Sequence, residues 1–514
     1  MKKFLPSSLQ IALVLLVSGL MPLCAAELKL AAVFTDHAVL QRDVAVPVWG
    51  WADAGTEVTV EFAGQKKTAT ADTTGKWMVK LAALKASAEP QTLTVTAGKS
   101  SVVLNDILVG EVWIGSGQSN MALMVSGAKD FEQEQAAANL PLVRMFKEDS
   151  GPAETPQADG KGNWTVCATN TVGGFSATLF FFGREIHKAL GVPVGLINSS
   201  VGGTPIEFWI SPEAQRASEP LKPFLTALEK QKEADAILAG EAKKKYEAAL
   251  ARWVEASQKA RADKTPVPRK PRDQSAKLAR RGDVGGLFNG KIAPLIPYAI
   301  RGVIWYQGEA NTKGTKPPFY QYQLPLLVQD WRARWGYEFP FAWAQLPNYG
   351  GDNGRDWPTI REAELKALAL PKTGMGINID IGEEKNIHPK NKQEVGRRLS
   401  LWALGTVYGQ KVAATSGPLP AGHKIHGGEV ELSFSHADGG LVAKDGELKG
   451  FFVVGEDKQW KPATARIKGS KVIVSSPDVK QPAAVRYAWE NFPTGNLYNG
   501  AGLPASPFRT DDWK

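Results

Sequence analysis

The chain has 514 residues, 43% hydrophobic and 22% charged, proportions that exclude wholesale disorder and a fibrous architecture and allow two or three domains around a large core. A net charge of +9 would suit nucleic acid, but much of the excess lies between Lys230 and Arg281. That run of Lys, Arg, Ala and Glu reads as a solvated helical face, so no nucleic-acid partner is expected.

Residues 1–26 read as a secretory signal: Lys2 and Lys3, an apolar run from Leu9 to Leu20, then Cys24, Ala25 and Ala26 before Glu27. Leu23 stands where a lipoprotein signal needs a small residue. No later stretch is apolar and long enough to span a bilayer, so the mature chain is expected to be periplasmic or secreted, with no stable membrane association. Loss of the signal removes Cys24 and leaves Cys167 alone. In WTVCAT, strand-like and with no adjacent base, it reads as a buried structural thiol.

Residues 27–105 alternate apolar and polar in short runs such as TEVTVEF and QTLTVTA, predicting an N-terminal β-sandwich-like domain. From 106 to 410 buried strands alternate with amphipathic helices. The strands are ILVGEVWIG, PLVRMF, VPVGLINSS, IRGVIWYQ, FPFAWAQL and GMGINIDI, and the helices include TLFFFGREIHKAL and KQEVGRRLSLWAL. This pattern predicts an α/β domain with a doubly wound, mainly parallel sheet. Residues from about 212 to 282 interrupt it with long helix-forming runs, read as an inserted helical hairpin. Short strands return from 411 to 514 as a C-terminal β domain.

In an open α/β sheet the reactive groups gather in loops at the carboxyl ends of the strands. Four such loops stand out. Gly115-Ser116-Gly117-Gln118-Ser119-Asn120 offers a serine on a tight glycine turn, although Met121 breaks the GxSxG pattern. Asn198 to Pro205 carries Gly202 and Gly203, whose amides are free to approach an oxyanion. Tyr306-Gln307-Gly308-Glu309-Ala310-Asn311 places two amides and a carboxylate after an apolar strand. Asp380 to Pro389 brings His388, one of six histidines, to a strand-to-helix junction. In this order the loops would supply a nucleophile, oxyanion donors and a base.

The blocks GQSN, NSSVGGTPIE, WYQGEAN and NIHPKNKQEVGRRL, with FSATLFFFGREIH and GLPASPFRTDDW, resemble those of SGNH hydrolases, specifically the sialate O-acetylesterases and related carbohydrate acetylesterases. The resemblance covers nearly the whole mature chain and implies an SGNH-type fold, an acetylated-carbohydrate substrate and hydrolysis through an acyl-enzyme. It implies Ser119 as nucleophile, His388 as base, and the N–H groups of Ser119 and Gly202 in the oxyanion hole. Gln307 and Asn311 compete for the side-chain oxyanion donor. The position of the family's usual asparagine holds Ala310, and Gln307 is preferred, with Glu309 beside it in the substrate-binding block. The family commonly has an aspartate three residues before the histidine; Lys385 stands there. Asp380 is then the first candidate to orient the imidazole, ahead of Glu383, Glu384 or a loop carbonyl.

No cofactor is expected, nor a metal: the four loops lack metal-ligand spacing, and His423, His426 and His436 lack clustered carboxylates. Arg144, Arg184, Arg361 and Arg397 are candidates to bind a substrate carboxylate. Plant polysaccharide acetylesterases of the xylan or pectin type share the same blocks. A carbohydrate-binding protein with a silent site would instead use its 16 tryptophans to stack on sugars.

Overall fold

The computed structural model describes residues 28–273, 275, 284–351 and 354–513. Its longest strand, Ser100–Gly117 (β1), changes character along its length: up to Asp106 its residues are exposed or half-buried, and from Ile107 onward all are buried. The first half pairs antiparallel with Ser87–Ala97 across a turn at Gly98, whose φ of +58° suits glycine. The second half becomes the middle of a parallel sheet, where both faces are covered and polar alternation disappears.

That sheet adds Leu140–Lys147 (β2), Trp164–Cys167 (β3), Val194–Ser200 (β4), Gly302–Tyr306 (β5), Phe341–Ala344 (β6) and Thr373–Gly376 (β7), in the spatial order β3-β2-β4-β1-β5-β6-β7. Neighbours run parallel except β3, an antiparallel edge. The chain therefore builds on one side of β1 through β4 and then crosses to the other side at β5. Loops leaving the carboxyl ends of β1, β4 and β5 flank the point of reversal, where such sheets open a crevice.

The connecting helices are Ser119–Ala122 (α1), Ala177–Leu190 (α2), Lys222–Ala262 (α3), Tyr320–Trp335 (α4), Trp357–Lys366 (α5) and Lys392–Trp402 (α6). Ser176 caps α2 by accepting from the Leu179 N–H, and Gly191 ends it at φ +66°. Asn391 caps α6 through the Glu394 N–H. Close packing of α2 on α6 requires Gly396, where a Cβ would lie 2.6 Å from that of Phe181.

The N-terminal strands share the core of the parallel sheet. Phe34 packs 4.9 Å from Trp49 and 5.3 Å from Tyr298, and one apolar cluster runs from Leu28 to Leu404. A boundary at 105 thus falls within β1, which belongs to both parts. Helix α3 is one run of 41 residues and residues 265–273 have no regular structure; most of the remaining part of the expected hairpin lies outside the described residues. Its Ala, Glu, Lys and Arg content favours a long solvated helix. Cys167 is buried, and burial pushes its thiol up to about 12. The expected signal, residues 1–26, lies outside the described residues; among these, no helix is long and apolar enough to cross a membrane.

The C-terminal part has its own core between two four-stranded antiparallel sheets, with Val430, Leu432, Val472 and Val474 from one and Phe451, Val453, Val485 and Phe508 from the other. It is fastened to the α/β part by Arg361 of α5, whose buried guanidinium donates to the carbonyls of Leu346 (2.9 Å) and Pro347 (2.6 Å) on one side and Glu490 (2.7 Å) and Asn491 (3.0 Å) on the other. Arg361→Met would leave these buried acceptors unpaired, at about 1–3 kcal/mol each. We expect a destabilisation of at least about 3 kcal/mol, measured as a lower urea midpoint; an unchanged midpoint would remove Arg361 as the fastening.

Candidate active site

Three strand ends converge on Ser119. Gly117 closes β1 with φ +132°, so near β5 that a Cβ would lie 2.1 Å from the Tyr306 carbonyl oxygen. The same carbonyl accepts from the Gln118 N–H at 2.9 Å, which fixes the start of α1 and hence Ser119. From the loop after β4, the Val201 N–H donates to the Gly117 carbonyl at 3.0 Å. This brings Gly202 so close that a Cβ there would sit 3.5 Å from that of Ser119. Among the described residues the N–H groups of Ser119 and Gly202 have no main-chain hydrogen-bond partner, leaving two donors open beside the hydroxyl.

The fourth loop brings His388 to the serine hydroxyl. His388 Nε2 lies 2.8 Å from Ser119 Oγ, within reach for proton transfer. Burial, and then the nearby Lys392 ammonium, hold the imidazole below its usual range, which favours the neutral form a base requires. Asn386 clamps the backbone on both sides of the ring: its Oδ1 accepts from the His388 N–H (3.0 Å) and its Nδ2 donates to the His388 carbonyl (2.9 Å). Glu383 accepts from Asn386 Nδ2 (3.0 Å) and from the Lys390 N–H (2.8 Å). Among the described residues, no carboxylate hydrogen-bonds to the His388 ring.

Asp380 therefore does not orient the imidazole. Its two oxygens receive Arg398 at 2.6 and 2.8 Å, and the Tyr498 hydroxyl donates to one of them at 3.1 Å. Gln307 and Asn311, the two candidates for the side-chain oxyanion donor, both have partners within the chain. Gln307 Nε2 is engaged by Asn311 Oδ1 (2.7 Å), Gln118 Oε1 (3.2 Å) and the Thr204 carbonyl (3.2 Å). Asn311 in turn accepts from the Ile206 N–H (3.0 Å) and donates to Glu207 (2.9 Å). Both amides are buried and lace the loops after β1, β4 and β5 together. Glu309 is equally buried and bonds Asn120, with burial raising its carboxyl; it presents nothing to a substrate. The exposed Lys385 and Glu384 flank the loop without touching the ring.

Each of the four candidate arginines already has a partner within the chain, and Arg397 is the one left half-exposed. Arg144 is held by Asp106, Arg184 by Glu134 and Glu185, and Arg397 by Glu394, while Arg361 fastens the C-terminal part. Three residues around Ser119 escape sequence reasoning: Asn120, Lys392 and Glu207. In the sequence Lys392 reads only as the first residue of the helix KQEVGRRLSLWAL, and Asn120 only as the residue after the serine.

A sequence family described as carbohydrate esterase, sialic acid-specific acetylesterase, matches residues 109–264 and 290–402. Sialate O-acetylesterase of Rattus norvegicus is 29% identical over 530 residues, covering 93% of this chain and 94% of the rat protein. That of Homo sapiens is 26% identical over 529 residues, with 93% and 92% covered. A solved structure, a carbohydrate acetylesterase from Xanthomonas citri, superimposes with a TM-score of 0.79 at 34% identity, over 95% of this chain and all of that one.

The position of Asp380 generates a prediction. Asp380→Asn should keep turnover within about tenfold, against the roughly 10⁴-fold fall that a triad acid would give, and should lower the melting temperature by weakening the hold on Arg398. Steady-state kinetics and a thermal melt check both; a 10⁴-fold fall in turnover without a change in melting would return Asp380 to the site.

Proposed function

We propose that this chain, which belongs to the carbohydrate esterase family of sialic acid-specific acetylesterases and is a carbohydrate O-acetylesterase, works through a Ser119–His388 pair on O-acetylated sialic acid. The observation that carries the mechanism is the 2.8 Å contact between Ser119 Oγ and His388 Nε2 beside two open main-chain donors. In this reading Ser119 Oγ attacks the acetyl carbonyl carbon while His388 Nε2 takes the hydroxyl proton. The oxyanion faces the N–H groups of Ser119 and Gly202, one such donor being worth about 3 kcal/mol. Collapse breaks the ester bond, and the sugar oxygen leaves with the proton from His388. Water, deprotonated by the same imidazole, then releases acetate from Ser119.

Sialate as the substrate is supported by relatives of that name matched along 93% of this chain. The doubly wound SGNH description of the esterase part is supported by the reversal of strand order at β1. With it goes a layout of N-terminal β, α/β and C-terminal β parts, and export directed by residues 1–26.

We expect Ser119→Ala and His388→Ala each to lower acetate release by more than about 10³-fold with unchanged circular dichroism. Near-normal release by Ser119→Ala would discard the serine mechanism. Acetate release compared across O-acetylated sialic acid, acetylated xylan and acetylated pectin tests the substrate; preference for either polysaccharide would replace sialate.

A further inference from the structure

Asn120 directly follows the nucleophile and Ile387 directly precedes the base. The fully buried side chain of Asn120 joins these two positions: its Nδ2 donates to the Ile387 carbonyl at 3.0 Å and to Glu309, and its Oδ1 accepts from Lys392 Nζ at 2.6 Å. A primary amide has one donating and one accepting end. An ammonium only donates, a carbonyl and a carboxylate only accept, so Lys392 on one side and Ile387 with Glu309 on the other leave the amide a single orientation.

Lys392 is itself fully buried at the start of α6, its Nζ 5.1 Å from the centroid of the Tyr306 ring. An ammonium so placed is retained only where a carboxylate and good hydrogen bonds offset its desolvation, and Glu309 supplies the opposite charge through the same amide. This matters in a site whose imidazole receives no carboxylate, because the direction of the ring must then come from the backbone on either side of it. Asn386 holds His388 from within its own loop, while Asn120 holds the preceding peptide from the nucleophile's loop.

We propose that Asn120 and Lys392 are positioning residues of the esterase: Lys392 fixes the orientation of the Asn120 amide, and Asn120 sets the approach of His388 to Ser119 by holding the Ile387 peptide. This rests on the reading of Ser119 as nucleophile and His388 as base. The charged and titratable groups facing the cluster are Glu309, Tyr306 and Glu383 around Lys392, with Arg355 and Glu364 beyond Glu309.

The full chain is compared with Lys392→Met, Lys392→Arg, Asn120→Asp and Ser119→Ala, using p-nitrophenyl acetate across the acid limb of the pH profile. Lys392→Met should lower kcat by about a hundredfold, the cost of misplacing a reacting group, with KM nearly unchanged. Its acid limb of kcat/KM should move to higher pH: the neutral imidazole is the active form, and removing a neighbouring positive charge raises its pKa. Lys392→Arg keeps the charge and should keep the limb. Asn120→Asp, which has the same shape but places an acceptor against the Ile387 carbonyl, should lose kcat similarly and decides the matter if Lys392→Met does not fold. Full kcat in Asn120→Asp overturns the proposal. So does a fall in Lys392→Met that tracks its melting temperature with the acid limb unmoved. Turnover surviving in Ser119→Ala would sink the nucleophile reading instead, and is read independently of the other variants.

Discussion

At the end of β1 two strands come closer than any side chain permits. Gly117 lies against the Tyr306 carbonyl, and the next N–H along the chain bonds that same oxygen. A β-carbon at Gly117 would have to push β1 and β5 apart. Everything at the site inherits its coordinates from this contact, since Ser119 stands two residues on and Gln307 one residue beyond Tyr306. The Gly117 carbonyl also receives Val201 and so places Gly202. One backbone junction thus sets Ser119, Gly202 and the polar scaffold together.

Around that junction the sequence and the structure divide the work unevenly. The four loops were legible because glycines, a serine and a rare histidine recur at ends of apolar strands, and strand ends are where an open sheet exposes reactive groups. Ser119, Gly202 and His388, each from a different loop, lie together. What the sequence hides is partnership between distant segments. Asp380 looks available until Arg398 and Tyr498, 18 and 118 residues away, take its oxygens. Gln307 looks like a donor until Gln118, Thr204 and Asn311 close around it. A boundary near 105 looked natural because burial changes there, but the backbone of β1 continues through the change. Similarly, the Ala- and Lys-rich insertion announces helix but not where a helix stops, and α3 runs on through 41 residues.

The base is the part least like a full triad. A carboxylate on the second imidazole nitrogen would fix the tautomer and stabilise the imidazolium. Here Asn386, itself braced by Glu383, holds the peptide of His388 rather than its ring, so the loop restrains where the ring stands but lends little negative charge to it. The neighbouring Lys392 pulls the same way, disfavouring the charged imidazole at rest. In the proposed reaction such an imidazole is ready to accept a proton because it is kept neutral, and its conjugate acid is correspondingly ready to pass the proton on to the departing sugar oxygen.

A cluster containing Glu309, Glu364, Lys392 and Tyr306 without solvent is costly to fold. Glu309 Oε2, Glu364 Oε1 and the Tyr306 hydroxyl have no hydrogen-bond partner among the described residues, and burial raises the carboxyls of Glu309 and Glu364 and pushes Lys392 down to about 7. Apolar side chains of similar volume would fill the same space at less cost. Groups this expensive persist where they hold geometry that an apolar core leaves free. Leucines behind Ser119 would pack as well, but they would give the Ile387 peptide nothing to bond and the Asn120 amide no reason to face one way. The buried charges meet at the amide that joins the Ser119 and His388 loops, and direction, which dispersion forces specify poorly, is what the proposed pair needs there.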